Sequence, residues 1–305
     1  MSHPSLKYVL LEGIAYKLME KGFKASRALK LTYSLIAFLT VSAIVLPWLF
    51  LALYIPFNEL VEHIDHSTHY FTLLVGIFNI SLLLDIIIFD GLLRTKKPKV
   101  EEEWLYDVLE DVKRSINYEG KVKLEVADSE ILTACSMPGE IVVTRGLINV
   151  LDREYVKAIL AHELGHRKRG FNILAIQVLI MFTFFNAAIL IEAVATPWKM
   201  NLTPTVLFAI TLPISIIGAF SLRRLEEHFA DEFSVKAMRS TTLIKALGEL
   251  ENATSKTKTM KISKPLIPLA PLLLLGAILM LLYQPSSEAR KYVIEQCRKE
   301  LERGS

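Results

Sequence analysis

Two histidines four residues apart, with a glutamate directly after the first, make Ala161-His162-Glu163-Leu164-Gly165-His166-Arg167 the stretch of this chain best equipped for chemistry. On a helix, positions i and i+4 share a face, so His162 and His166 can offer their imidazole nitrogens to one metal ion. Glu163, one step round, then lies close enough to act as a base on a water beside that ion. Metal-assisted hydrolysis is the chemistry this spacing supports.

The flanking residues agree with a helix. Residues 152–168 read as amphipathic, with Tyr155, Val156, Ile159, Leu160 and Leu164 at helical spacing and Asp152 as the N-cap. Leu164 and Gly165, inside the motif, carry no charge, which suits a helix buried against a metal cleft because a buried charge there would need its own partner. The pattern is the H-E-x-x-H of zinc peptidases. Such a site needs a third protein ligand and an open fourth position. Downstream, residues 223–233 read Arg-Arg-Leu-Glu-Glu-His-Phe-Ala-Asp-Glu-Phe. Here Glu227 and Asp231 again stand at i and i+4. Glu227 can reach the metal, while Asp231, one turn on, can accept a hydrogen bond from a ligand histidine and set its tautomer. Arg224 and His228 are the nearby candidates for donating to the oxyanion of the reaction.

Glu227-x-x-x-Asp231 after His162-Glu163-x-x-His166 resembles the membrane gluzincins of the HtpX and CAAX prenyl protease group, with a span layout closer to HtpX. The group's pattern around the third ligand is roughly Ser-Arg-x-Arg-Glu-x-x-Ala-Asp, matched here at Arg224, Glu227, Ala230 and Asp231 and departed from at Glu226; Phe171 stands where an aspartate is common. The resemblance implies a mainly α polytopic membrane protein with a small β-sheet and a zincin-type (gluzincin) α+β catalytic domain. It also implies one zinc per chain and endopeptidase action on unfolded or damaged membrane proteins. A CAAX prenyl protease would share the metal site but have more spans and a larger intramembrane chamber. A non-catalytic scaffold with a structural metal would have no need of Glu163.

Of the 305 residues 52% are hydrophobic and the mean hydropathy is positive, enough for one soluble domain and several membrane spans. A net charge of +3 makes no case for nucleic acid. The two cysteines, Cys135 and Cys297, suggest neither a disulfide framework nor a cysteine metal site.

The helices and strands that must position the motif can be placed in order. Residues 1–30 mix Leu6, Val9, Leu10, Ile14 and Leu18 with six basic residues, as in an amphipathic helix on an anionic inner membrane face. No charge occurs from Leu31 to Phe57, the first span, and Pro47 is a candidate kink. The loop 58–70 has acids but no lysine or arginine, which orients the N-terminus inward. Its His63, His66 and His69 drift round a helix and read better as a polar cap than as a metal site. Residues 71–93 return as a second span containing Asp85. A cytosolic domain over residues 94–171 follows, with a helix over 101–116 and strands at 121–127 and 140–144; in zincins an edge strand beside the active helix pairs with substrate backbone. The stretch Thr133 to Ser136 precedes that strand and Met137-Pro138-Gly139 reads as a turn.

Residues 172–194 and 202–222 form an apolar hairpin over 172–222, joined near Trp198. The chain leaves at Arg167-Lys168-Arg169 and returns at Arg223-Arg224 on the same side, so an even number of spans brings Glu227 back to the histidines. The second catalytic segment, 223–264, continues as a helix towards Leu250 and ends in a basic linker. In 265–305 an uncharged run, 265–283, reads as a fifth span by hydropathy or as a re-entrant segment by its three prolines, and both stay open. Gln284 to Arg290 resembles the His-Pro-Pro/Ser-x-Glu-x-Arg element near the end of HtpX-like proteins.

Overall fold

The computed structural model describes residues 11–54, 95–96, 102–137, 139–195, 202–256 and 285–304. The elements are α1 (Gly13–Glu20), α2 (Ala25–Tyr54), β1 (Thr95–Lys96), α3 (Trp104–Ser115), β2 (Lys123–Ala127), β3 (Ala134–Met137), β4 (Glu140–Thr144), α4 (Arg145–Val150), α5 (Arg153–Lys168), α6 (Gly170–Ala195), α7 (Leu202–Met238), α8 (Thr242–Lys256) and α9 (Ser287–Gly304). The expected second span with Asp85, the histidines 63, 66 and 69, Trp198 and the run 265–283 lie outside the described residues.

The sheet orders as β1-β2-β4-β3, with β2 and β4 parallel and the other pairs antiparallel. Strand β4 has the expected bounds, but it is an inner strand, not the edge. Its four consecutive buried residues, Ile141 to Thr144, fit that place: both its faces are covered, and β2 and β3 pair with it on either side. The outer strand on the β4 side is β3, formed from residues that lack the alternation of a strand and precede β4. Gly139, at φ +90°, makes the tight return between the two. Arg167 of α5 donates to the carbonyls of Met137 (2.5 Å) and Glu140 (3.3 Å), fastening the motif helix to this hairpin.

Helix α5 is the hub. Ala158, Leu160, Ala161 and Leu164 are fully buried in the main core, alongside Leu105 and Val112 of α3 and Val156. Each large apolar side chain so buried contributes roughly 1.5–3 kcal/mol. Asp152 does occupy the N-cap position, but its side chain caps nothing. Against α5 lies α7, and the two approach at Gly165: a Cβ there would stand 2.9 Å from Ala230 Cα and 3.1 Å from Phe233 Cβ. Gly165→Ala therefore forces the helices apart. We expect a loss of about 1–3 kcal/mol, the usual cost of overpacking, read by thermal unfolding, together with weakened metal binding. A variant as stable as wild type would show that the crossing is loose. Two further ties fix the pair: Ser234 Oγ donates to Ala158 O (2.8 Å), and Arg169 forks onto Glu226 (2.9 and 3.3 Å) while lying 3.6 Å from the Phe229 ring centroid. Glu226, the departure from the HtpX-like pattern, thus has its own cation.

Helix α7 runs unbroken from its apolar half through Glu227 to Met238. It does not continue to Leu250 as expected, because Arg239 takes a left-handed conformation (φ +48°), which ends a helix, and α8 starts afresh at Thr242. Among the described residues two helices, Ala25–Leu53 and Thr205–Met238, are long and apolar enough to cross a membrane; α6 contributes the shorter apolar stretch Val178–Glu192. In the most apolar 18 residues of each helix only 33% and 39% of the residues are buried, and Phe38, Leu53 and Ile210 stand largely exposed. The N-terminal segment differs from expectation in one respect. The apolar face of α1, with Ala15, Tyr16 and Met19, is buried in the protein core instead of being left for a lipid surface.

Candidate active site

The motif helix and the third-ligand helix bring their donors to one point. His162 Nε2 lies 3.1 Å from His166 Nε2 and 3.4 Å from Glu227 Oε2, and His166 Nε2 lies 3.5 Å from Glu227 Oε1. All three residues are buried, and one ligand atom from each lies within 4.8 Å of the others. Metal–ligand bonds of about 2.0–2.1 Å in a tetrahedron require ligand atoms about 3.3–3.4 Å apart. The observed triangle has that size, so the residues fit zinc.

The tautomer is set from behind. Asp231 Oδ1 accepts from His162 Nδ1 at 2.9 Å, which aims Nε2 at the shared point, as its spacing from Glu227 predicted. Arg290 of α9 then forks onto Asp231 (Nη2–Oδ1 2.5 Å, Nε–Oδ2 2.9 Å), and Arg223 sits 3.2 Å from Glu227 Oε1. Burial alone would favour a neutral His162, but the hydrogen bonds that Asp231 and Glu227 accept from its ring outweigh it and lift the ring to about 9. Glu163 is also buried, which raises its carboxyl, while His162 and His166 pull it back. A raised carboxyl is a stronger base once ionised. Cys135 on β3 is pushed up to about 11 by burial and by the Glu163 and Glu140 carboxylates, and it is not among the clustered donors.

Arg224 and His228, the expected oxyanion donors, are engaged with Glu12 and Tyr16. Positions 223, 227 and 231 share the face of α7 turned to α5, whereas 224 and 228 lie round the helix, facing α1. Arg224 pairs with Glu12 at 3.0 Å and His228 Nε2 meets Tyr16 Oη at 2.7 Å, with both α7 residues buried. The cations at the site are Arg223 and Arg290. Arg223 was legible as the i−4 neighbour of Glu227. Arg290 stands 59 residues beyond Asp231 and no spacing rule points to it.

Residues 99–282 match Peptidase family M48. The chain belongs to peptidase family M48. Among curated proteins, this M48 chain is 28% identical over 178 residues to a "Protease HtpX homolog" of Aquifex aeolicus (strain VF5), covering 50% of the chain and 57% of the relative. It is 27% identical over 178 residues to one of Aeropyrum pernix, covering 52% and 55%. The alignments thus span little more than half the length of the curated relatives. Among solved structures, S. mikatae Ste24p has 17% identity and a TM-score of 0.45, over 82% of this chain and 64% of that one. The likeness to the HtpX line drawn from the motifs holds for this M48 chain, and the three clustered donors lie on two helices inside the matched segment.

Proposed function

We propose that this M48 chain is a membrane-integral zinc endopeptidase whose active site faces the cytosol and whose substrates are unfolded or damaged membrane proteins. The observation that carries the reading is the triad of His162, His166 and Glu227 with Glu163 beside it. Zinc, when bound there, acts as a Lewis acid and lowers the pKa of water to about 7.

The chain's own groups do the rest. Glu163 accepts a proton from the attacking water and hands it to the departing amine. Asp231 holds the His162 ring, and Arg290 holds Asp231. Strand β3 pairs with β4 on one side only among the described residues, so its free edge beside α5 can take an extended peptide as an added strand. A folded domain cannot offer such a strand, which favours unfolded substrates. The exposed apolar surface of α2 and α7 supports a membrane setting, and the basic residues flanking the apolar runs support the cytosolic side.

Reconstituted vesicles test the reading. Casein added outside is expected to be cut when the catalytic domain faces out, and spared in the opposite orientation. Cutting is expected to stop with a zinc chelator and return with added zinc. Undiminished cleavage by the metal-free protein would rule the mechanism out, and cleavage from the opposite face would overturn the topology.

A further inference from the structure

The back of the third-ligand helix is held by a matched pair of contacts that the proposed reaction does not use. Glu12 and Tyr16 stand four residues apart at the start of α1, and Arg224 and His228 four residues apart on α7. Glu12 meets Arg224 at 3.0 Å and Tyr16 Oη meets His228 Nε2 at 2.7 Å. Two rungs one helical turn apart fix a helix in both rotation and axial position, which a single contact cannot do. Glu227 lies between the rungs in sequence, its side chain on another face. The Tyr16 ring also packs edge-on against Tyr292 of α9, 5.9 Å between centroids, so α1 bridges the helix of Glu227 and the helix of Arg290.

Apolar pairs would hold α1 down at least as well, since a buried ion pair returns little net stability. What buried polar rungs add is direction. With side-chain tips about 5–6 Å from a helix axis, a 20° turn of α7 would move the Glu227 carboxylate by about 2 Å. That is most of a coordination bond.

We propose that Tyr16 and Glu12 are positioning residues for the metal centre: through His228 and Arg224 they set the rotation of α7 and so the place of Glu227. The inference rests on the metal-centre reading above. The test uses the full chain in detergent, with zinc affinity measured by chelator competition, the visible spectrum of the cobalt-loaded protein, and kcat and KM on casein. Tyr16→Phe keeps the ring and its packing but removes the hydroxyl rung. It is expected to weaken zinc by about 10-fold, the lower end for losing an outer partner of a ligand, to shift the cobalt spectrum, and to lower kcat more than it raises KM. Glu12→Gln is expected to act in the same direction. Met19→Ala, buried on the same helix without a rung, is expected to lower thermal stability and leave zinc affinity within about twofold. If Tyr16→Phe and Glu12→Gln bind zinc as wild type does with an unchanged spectrum, or if Met19→Ala weakens zinc as much, the positioning role is overturned while the metal centre stands. Wild-type protein that takes up no zinc would overturn both.

Discussion

Glu163→Gln is expected to keep its zinc and its fold and to lose at least about 100-fold in turnover, the effect of removing a general base. The geometry separates Glu163 from the ligands: the clustered donors are His162, His166 and Glu227, and Glu163 is not among them. Glutamine preserves volume and one hydrogen-bonding oxygen, so a pocket this closely packed has no cavity to collapse into. What disappears is the carboxylate that burial has made more basic. The measurement is casein cleavage by wild type and variant at matched zinc content. Equal rates would remove Glu163 from the mechanism. Absence of cleavage by wild type over many unfolded and membrane substrates would favour a scaffold with a structural metal.

Glu227→Ala is expected to reduce zinc from about one per chain to well under a tenth after dialysis, and to abolish cleavage with it. Deleting a ligand removes one of the three corners of the site, and the two histidines that remain cannot hold zinc against dilution. A second loss accompanies the first. Arg223, 3.2 Å from the carboxylate, is deprived of that charge, so positive charge in the pocket repels the incoming ion. His162→Ala should give the same metal loss. Metal analysis of the purified variants decides the matter, and full zinc retention by Glu227→Ala would show that another residue supplies the third corner.

The sequence by itself determined the parts of the site that depend on local periodicity. His162 and His166 share a face because a helix repeats every 3.6 residues, and Glu227 and Asp231 are paired by the same rule. The hydrophobic period placed α3 and α5, and alternation placed most of β2. Long apolar runs marked α2, α6 and the first half of α7, because a long stretch with almost no charge has few other uses. An even count of such runs between the two halves of the site put Glu227 back beside the histidines.

Tertiary structure decided what depends on contacts between distant segments. Which strand forms the edge was one such matter: 134–137 has no strand-like alternation and becomes β3 through pairing with β4. Which arginine serves the site was another. Arg224 and Arg223 are adjacent in sequence, yet a 100° step round α7 sends one to Glu12 and the other to Glu227. Arg167 and Arg169, read from sequence as a topology signal, turned out to tie α5 to the β-hairpin and to Glu226. Arg290 reaches Asp231 across 59 residues, and Tyr16 reaches His228 across 212. A buried polar group must find a partner somewhere in the fold, but nothing in its local sequence says where, because that partner is supplied only when the helices pack.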